Sequence, residues 1–119
     1  MYEPRRQHIP MLWLGGAVKA PKRVDRLLTQ TDLAATLLAQ MDLPHTDFPF
    51  SHDVFSTVTA PYAFYTFSNG FGFIDSTGVS AFDNAAGIPL LREPERGSDE
   101  RLKKGKALLQ TLYDDLGSR

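Results

Sequence analysis

The segment "PYAFYTFSNGFGFIDSTGVSAFDNAAGIPLLR", residues 61–92, leaves the chain few ways to fold. Short aromatic and aliphatic runs alternate with turn chemistry. Asn69 and Gly70 both tolerate positive φ and mark a tight hairpin turn. Ser76-Thr77-Gly78 and the stretch Asn84–Gly87 reverse the chain twice more. Connections this short join antiparallel strands, because a parallel crossover needs a dozen residues or more. The runs Tyr62–Phe67, Phe71–Asp75, Val79–Asp83 and Ile88–Arg92 are therefore expected as a three- to four-stranded antiparallel meander. Side chains alternate along a strand. Phe71, Phe73 and Asp75 thus share one face, opposite Gly72 and Ile74. Gly72 leaves room for another backbone or a helix to approach.

A helix is expected after the meander, over about 99–116. Ser98 suits its N-cap, and Asp99 and Glu100 suit its first turn. Leu102, Leu109, Leu112, Tyr113 and Leu116 recur at helical spacing as a core stripe. Gly105 lies on that stripe and predicts close packing against the meander. Lys103, Lys104 and Lys106 fall largely off it and face water.

The first half of the chain reads differently. Residues 5–16, "RRQHIPMLWLGG", contain a continuous apolar run from Ile9 to Leu14 that ends in Gly15-Gly16. Without alternation, such a run predicts a strand covered on both faces, with neighbours on each side. The basic connection Lys19–Arg26 follows, read as a solvated loop with anion binding as the sharper alternative. A helix is expected at about 31–42, capped by Thr31, with Leu33, Leu37, Leu38 and Met41 as its apolar stripe and Pro44 as its stop. Residues 45–60 are irregular. Phe48, Phe50 and Phe55 are expected to pin that loop to the body.

The 119 residues fit one domain, and a formal net charge of −1 lacks the basic footprint of a nucleic-acid binder. There is no cysteine, so disulfides and thiolate chemistry are excluded. No Gly-x-Ser-x-Gly elbow, phosphate loop or dinucleotide fingerprint occurs. His45, Asp47, His52 and Asp53 crowd one loop, but their spacing matches no common metal-ligand pattern. Asp114-Asp115 lies at a helix end and reads as solvated surface. No complete active site is legible, and no catalytic or metal-binding residue is assigned.

Four stretches in this order resemble the C-terminal part of bacterial lipoteichoic-acid-synthase-like sulfatases of the alkaline phosphatase superfamily. They are "HIPMLWLGG", "TQTDLAATLLAQMDLP", "FPFSHDVFS" and "FYTFSNGFGFIDSTGV". The resemblance covers about residues 5–116, and as a set it is more specific than any one motif. It implies an α+β piece of an α/β sulfatase-like fold, in which residues 1–119 form the C-terminal portion of a sulfatase or phosphoglycerol-transferase-like domain. The elements expected are an N-terminal strand and helix, then the meander packed on a C-terminal helix. The resemblance further implies a parent enzyme with a threonine or serine nucleophile and a divalent metal. Such an enzyme acts on sulfuric or phosphoric esters of the cell envelope from an extracytoplasmic domain anchored to the membrane. The family's Asp-His-Gly metal motif is not in this sequence, so no cofactor is expected in this chain, and the chain alone is expected to be inactive. Its expected partner is the upstream catalytic half; the isolated chain is expected to self-associate through its apolar strand. His8 matches a position often occupied by His or Arg in relatives, and is the one substrate-proximal candidate. The alternative is a free-standing binding or interaction module that uses the aromatic meander as its surface.

Overall fold

The computed structural model describes residues 2–16 and 18–119. After a 3-10 turn at Pro4–Gln7 come helix α1 (Asp32–Gln40), strands β1 (Tyr62–Phe67), β2 (Gly70–Asp75), β3 (Gly78–Asp83) and β4 (Ile88–Glu93), and helix α2 (Ser98–Ser118). The fold is α+β. The strands form one antiparallel sheet in the order β1-β2-β3-β4, and α2 packs on β2 and β3. The meander thus forms as its turns dictate, with one shift: Phe67 pairs with Gly70, so the first turn is Ser68-Asn69 and Gly70 opens β2. In the second turn Asp75 Oδ1 accepts from the Thr77 N–H at 2.8 Å and the Thr77 hydroxyl at 2.6 Å. In the third, the Asp83 carboxylate accepts from the Ala85 and Ala86 N–H groups, both at 2.9 Å.

The core lies between the sheet and the first half of α2. Phe64, Phe71 and Phe82 come from three neighbouring strands and share the face under the helix, with ring centroids 6.0 and 6.1 Å apart along the row. Phe71, Phe73, Ala81 and Leu102 are buried. On the opposite face the Tyr65 ring lies over Gly72, where an added Cβ would fall 2.0 Å from Tyr65 Cζ. The close neighbour that Gly72 admits is therefore a side chain, not a backbone or a helix.

Both helices differ from their expected form. α2 begins at Ser98, which is 1 % exposed and helical; Gly97, with φ +78°, takes the N-cap position instead. Its apolar stripe is buried only at Leu102 and Gly105, while Tyr113 and Leu116 are exposed. The reason is length: a helix of 21 residues spans about 30 Å, against about 20 Å for a strand of six. The second half of α2 runs past the sheet. In α1 the buried residues are Asp32, Ala35 and Thr36. Leu33, Leu37 and Met41, expected in the core, are 43 %, 45 % and 58 % exposed. Thr31 makes no capping bond. The C-terminal end of α1 is a Schellman motif: Asp42 has φ +56°, Asp42 N–H donates to Ala39 O, and Leu43 N–H donates to Leu38 O.

The N-terminal strand expected at Ile9–Leu14 does not form. These residues carry no regular structure, and Ile9, Met11, Leu12 and Leu14 are exposed, Leu14 by 83 %. A strand exists only through a neighbour that takes its backbone hydrogen bonds. No strand of this sheet supplies one. The outer edge of β1 is met at Phe64, whose N–H donates to Thr29 Oγ1 at 3.2 Å. At the far edge, β4 carries Pro89 and a register irregularity opposite Ala81 and Phe82.

Candidate functional site

The polar chemistry of the first half gathers where α1 meets the loop 51–54. Asp32, 6 % exposed, opens α1 with its carboxylate turned back on the chain. Its Oδ2 accepts from the Thr29 N–H at 2.7 Å. Its Oδ1 accepts from the His52 N–H at 2.9 Å and lies 3.2 Å from His52 Nδ1. One turn further, the Thr36 hydroxyl accepts from the Val54 N–H at 3.1 Å and donates to His52 O at 3.3 Å. Ser51 Oγ accepts the Ala35 N–H at 2.8 Å. Helix and loop are thus clasped by side-chain-to-backbone bonds, which replace the expected leucine contacts as the means of holding α1. Such bonds satisfy buried backbone groups that an irregular loop leaves without ladder partners.

The clasp touches the sheet through rings. His52 meets Tyr62 edge-on at 5.5 Å, and Tyr62 stacks on Phe73 at 5.4 Å. Burial, and secondarily the negative charge of Asp32, push the Tyr62 phenol above its ordinary value. A small cleft beside these groups is lined by Arg26, Asp32, His52, Ser56, Thr59 and Tyr62 and has a volume of ≈ 20 Å³. That is room for about one water molecule. Asp32 is engaged by its own chain, and among the described residues the His52 ring is bonded to Asp32 Oδ1 and to no hydroxyl. The arrangement holds a loop in place; it does not assemble a catalytic triad.

His8 lies just after the 3-10 turn, is exposed, and stands apart from this cluster. His45, Asp47, His52 and Asp53 are not brought together. Among the described residues no three His, Asp or Glu side chains could hold a metal ion jointly. Among the described residues no helix is long and apolar enough to cross a membrane. Sequence reasoning missed Thr36 and Ser51 as clasp residues. It also missed Arg101, which is 1 % exposed and donates from Nε to Ser80 Oγ at 3.0 Å. No known protein family, curated protein or solved structure matches this chain.

Proposed function

We propose that this chain is the C-terminal structural subdomain of a metal-dependent sulfuric or phosphoric ester hydrolase or transferase that acts on cell-envelope substrates. In this reading the nucleophile and metal ligands belong to an upstream catalytic half, held outside the cytoplasm by a membrane anchor. The observation that carries the proposal is the one-sided packing of α1. Its polar face is clasped by the loop 51–54, while Leu33, Leu37 and Met41 on the other side remain exposed. Leu43, Phe48 and the apolar run at Ile9–Leu14 are exposed as well. Apolar side chains left open in this number are what an interaction site would cover. A strand-like run followed by a helix with an open apolar stripe is what a larger α/β layer would cover.

The test begins with the coding sequence ahead of Met1. An in-frame Asp-His-Gly motif, followed by metal-dependent hydrolysis of an aryl phosphate or sulfate ester by the longer chain but not by residues 1–119, is the expected result. An upstream stop codon, or metal-dependent turnover by residues 1–119 that a point substitution within them abolishes, overturns the reading.

A further inference from the structure

The N-terminal arm, residues 2–16, is tied to the body at its start: the Tyr65 hydroxyl donates to Tyr2 O at 2.6 Å. The chain meets the body again further on. Lys22 Nζ lies 4.7 Å from the centre of the Phe55 ring, and Arg26 Nη2 donates to Ser56 O at 3.4 Å. Between these ties Ile9, Met11, Leu12 and Leu14 are exposed. The same chain leaves a second apolar surface open. Leu33, Leu37 and Met41 recur every four residues along α1, on the side away from the clasp, and all three are exposed. Leu43 and Phe48, just beyond the helix, are exposed as well. The arm therefore does not cover its own α1, and each surface lacks a complement within one copy.

Charge divides the two surfaces in a complementary sense. Residues 4–24 hold five Lys and Arg and no acid, whereas residues 27–91 hold six Asp and no Lys or Arg. Exposed cations border the apolar run of the arm, Arg5 and Arg6 before it and Lys19 and Lys22 after it. Exposed acids border the end of α1: Asp42 stands between Met41 and Leu43, and Asp47 precedes Phe48. Among the described residues Arg5, Lys19, Asp42 and Asp47 take part in no ion pair. An apolar run with a basic border matches an apolar stripe with an acidic one, and such matching selects a partner and fixes its register. The other cover for an extended segment is backbone pairing with a sheet edge. Here those edges are interrupted at Phe64 by Thr29 and at Pro89.

We infer that two copies of this chain exchange arms: Ile9–Leu14 of each lies along the Leu33, Leu37 and Met41 stripe of the other, with the arm's cations beside Asp42 and Asp47. The contact is reciprocal, so one two-fold axis covers both arms and both helices and closes the assembly at a dimer. The inference does not rest on the function proposed above, because both surfaces belong to residues 1–119.

The experiment is sedimentation equilibrium of the full chain, of Leu14→Lys, of Leu37→Lys, and of an equimolar mixture of these two variants. The wild type is expected to reach twice the mass of the chain and no more. Leu14 and Leu37 are 83 % and 45 % exposed, so neither substitution disturbs the core. A dimer of either variant alone has lost both of its contacts, and each variant associates at least about tenfold more weakly than the wild type. The mixture regains association, because the intact arm of one variant meets the intact stripe of the other. Asp42→Asn with Asp47→Asn keeps the backbone, since asparagine tolerates the φ of +56° at residue 42, and weakens the dimer about three- to tenfold. Asp114→Asn, on α2, leaves it unchanged. A wild type that stays monomeric overturns the inference, and protection of Ile9–Leu14 from hydrogen exchange in that monomer would show the arm closed on its own chain. Leu37→Lys associating as tightly as the wild type also overturns it, because the arms then meet each other or a different surface. So does a mixture no tighter than its components, or a mass that grows past the dimer.

Discussion

Gly105 of α2 lies directly against the ring of Phe71 in β2: a Cβ built on the glycine falls 2.2 Å from Phe71 Cε2. The two residues set the distance between helix and sheet. Gly105→Ala gains about 1 kcal/mol of helix propensity, yet it forces a methyl into a filled core, which costs about 1–3 kcal/mol. The ring is fully buried and flanked by Phe64 and Phe82, so it has little room to yield. A net loss of stability is expected in urea unfolding. A stabilised variant would show that the helix can lift without cost.

The clasp on α1 gives a second expectation. Thr36→Val keeps shape but removes the hydroxyl that serves Val54 N–H and His52 O. An unsatisfied buried donor costs about 1–3 kcal/mol. Hydrogen exchange at Val54 should accelerate far more than exchange in β2 or β3. Equal acceleration everywhere would mean that the loop 51–54 and the sheet open as one unit.

Asp75 makes stability depend on acid. Its burial alone would raise the carboxyl's pKa, but the Thr77 hydroxyl and N–H, Lys104 and Arg101 together lower it below the ordinary value. A lowered folded-state pKa contributes stability above the unfolded-state value, and that contribution is lost as pH falls through the folded-state value. Asp75→Asn should therefore destabilise the protein at neutral pH and flatten the acid limb of its stability curve. Chemical denaturation across the range from neutral to strongly acidic buffer reads this. Parallel curves for the two proteins would remove Asp75 from the account.

The exposed run Ile9–Leu14 leads to a prediction about association. Leu12 and Leu14 are 79 % and 83 % exposed, and such surface seeks cover. Sedimentation equilibrium is expected to show concentration-dependent self-association of the isolated chain. A Leu12→Lys, Leu14→Lys double variant should sediment closer to the monomer. A wild type that stays monomeric throughout would count against this surface being adhesive.

The sheet was legible because its signals are local: each turn lies between the strands it joins, and Asp75 and Asp83 sit where side-chain-to-backbone turn bonds are needed. Even the one-residue shift at Gly70 is local, since Phe67 lies over that glycine. The helices were half legible. Periodicity shows that Leu33, Leu37 and Met41 share a face, but not whether anything covers it. The spacing of Tyr113 and Leu116 likewise says nothing about where the sheet beneath them ends. Ile9–Leu14 has the pattern of a buried strand, yet pattern does not supply a partner strand. Arg101 was not legible at all. A charged residue in a first helical turn reads as solvated, and two of its acceptors, Ser80 and Thr77, stand 21 and 24 positions away in the chain.

The hydroxyl of Thr29 on the Phe64 N–H has a consequence for how copies of this chain can meet. Open strand edges are what allow sheets to grow from molecule to molecule into fibres. Here one edge is interrupted at Phe64 by that hydroxyl, and the other carries Pro89, which has no N–H to offer. The sheet is a poor template for polymerisation, so assemblies of this chain should stay small and soluble, joined through the Ile9–Leu14 segment.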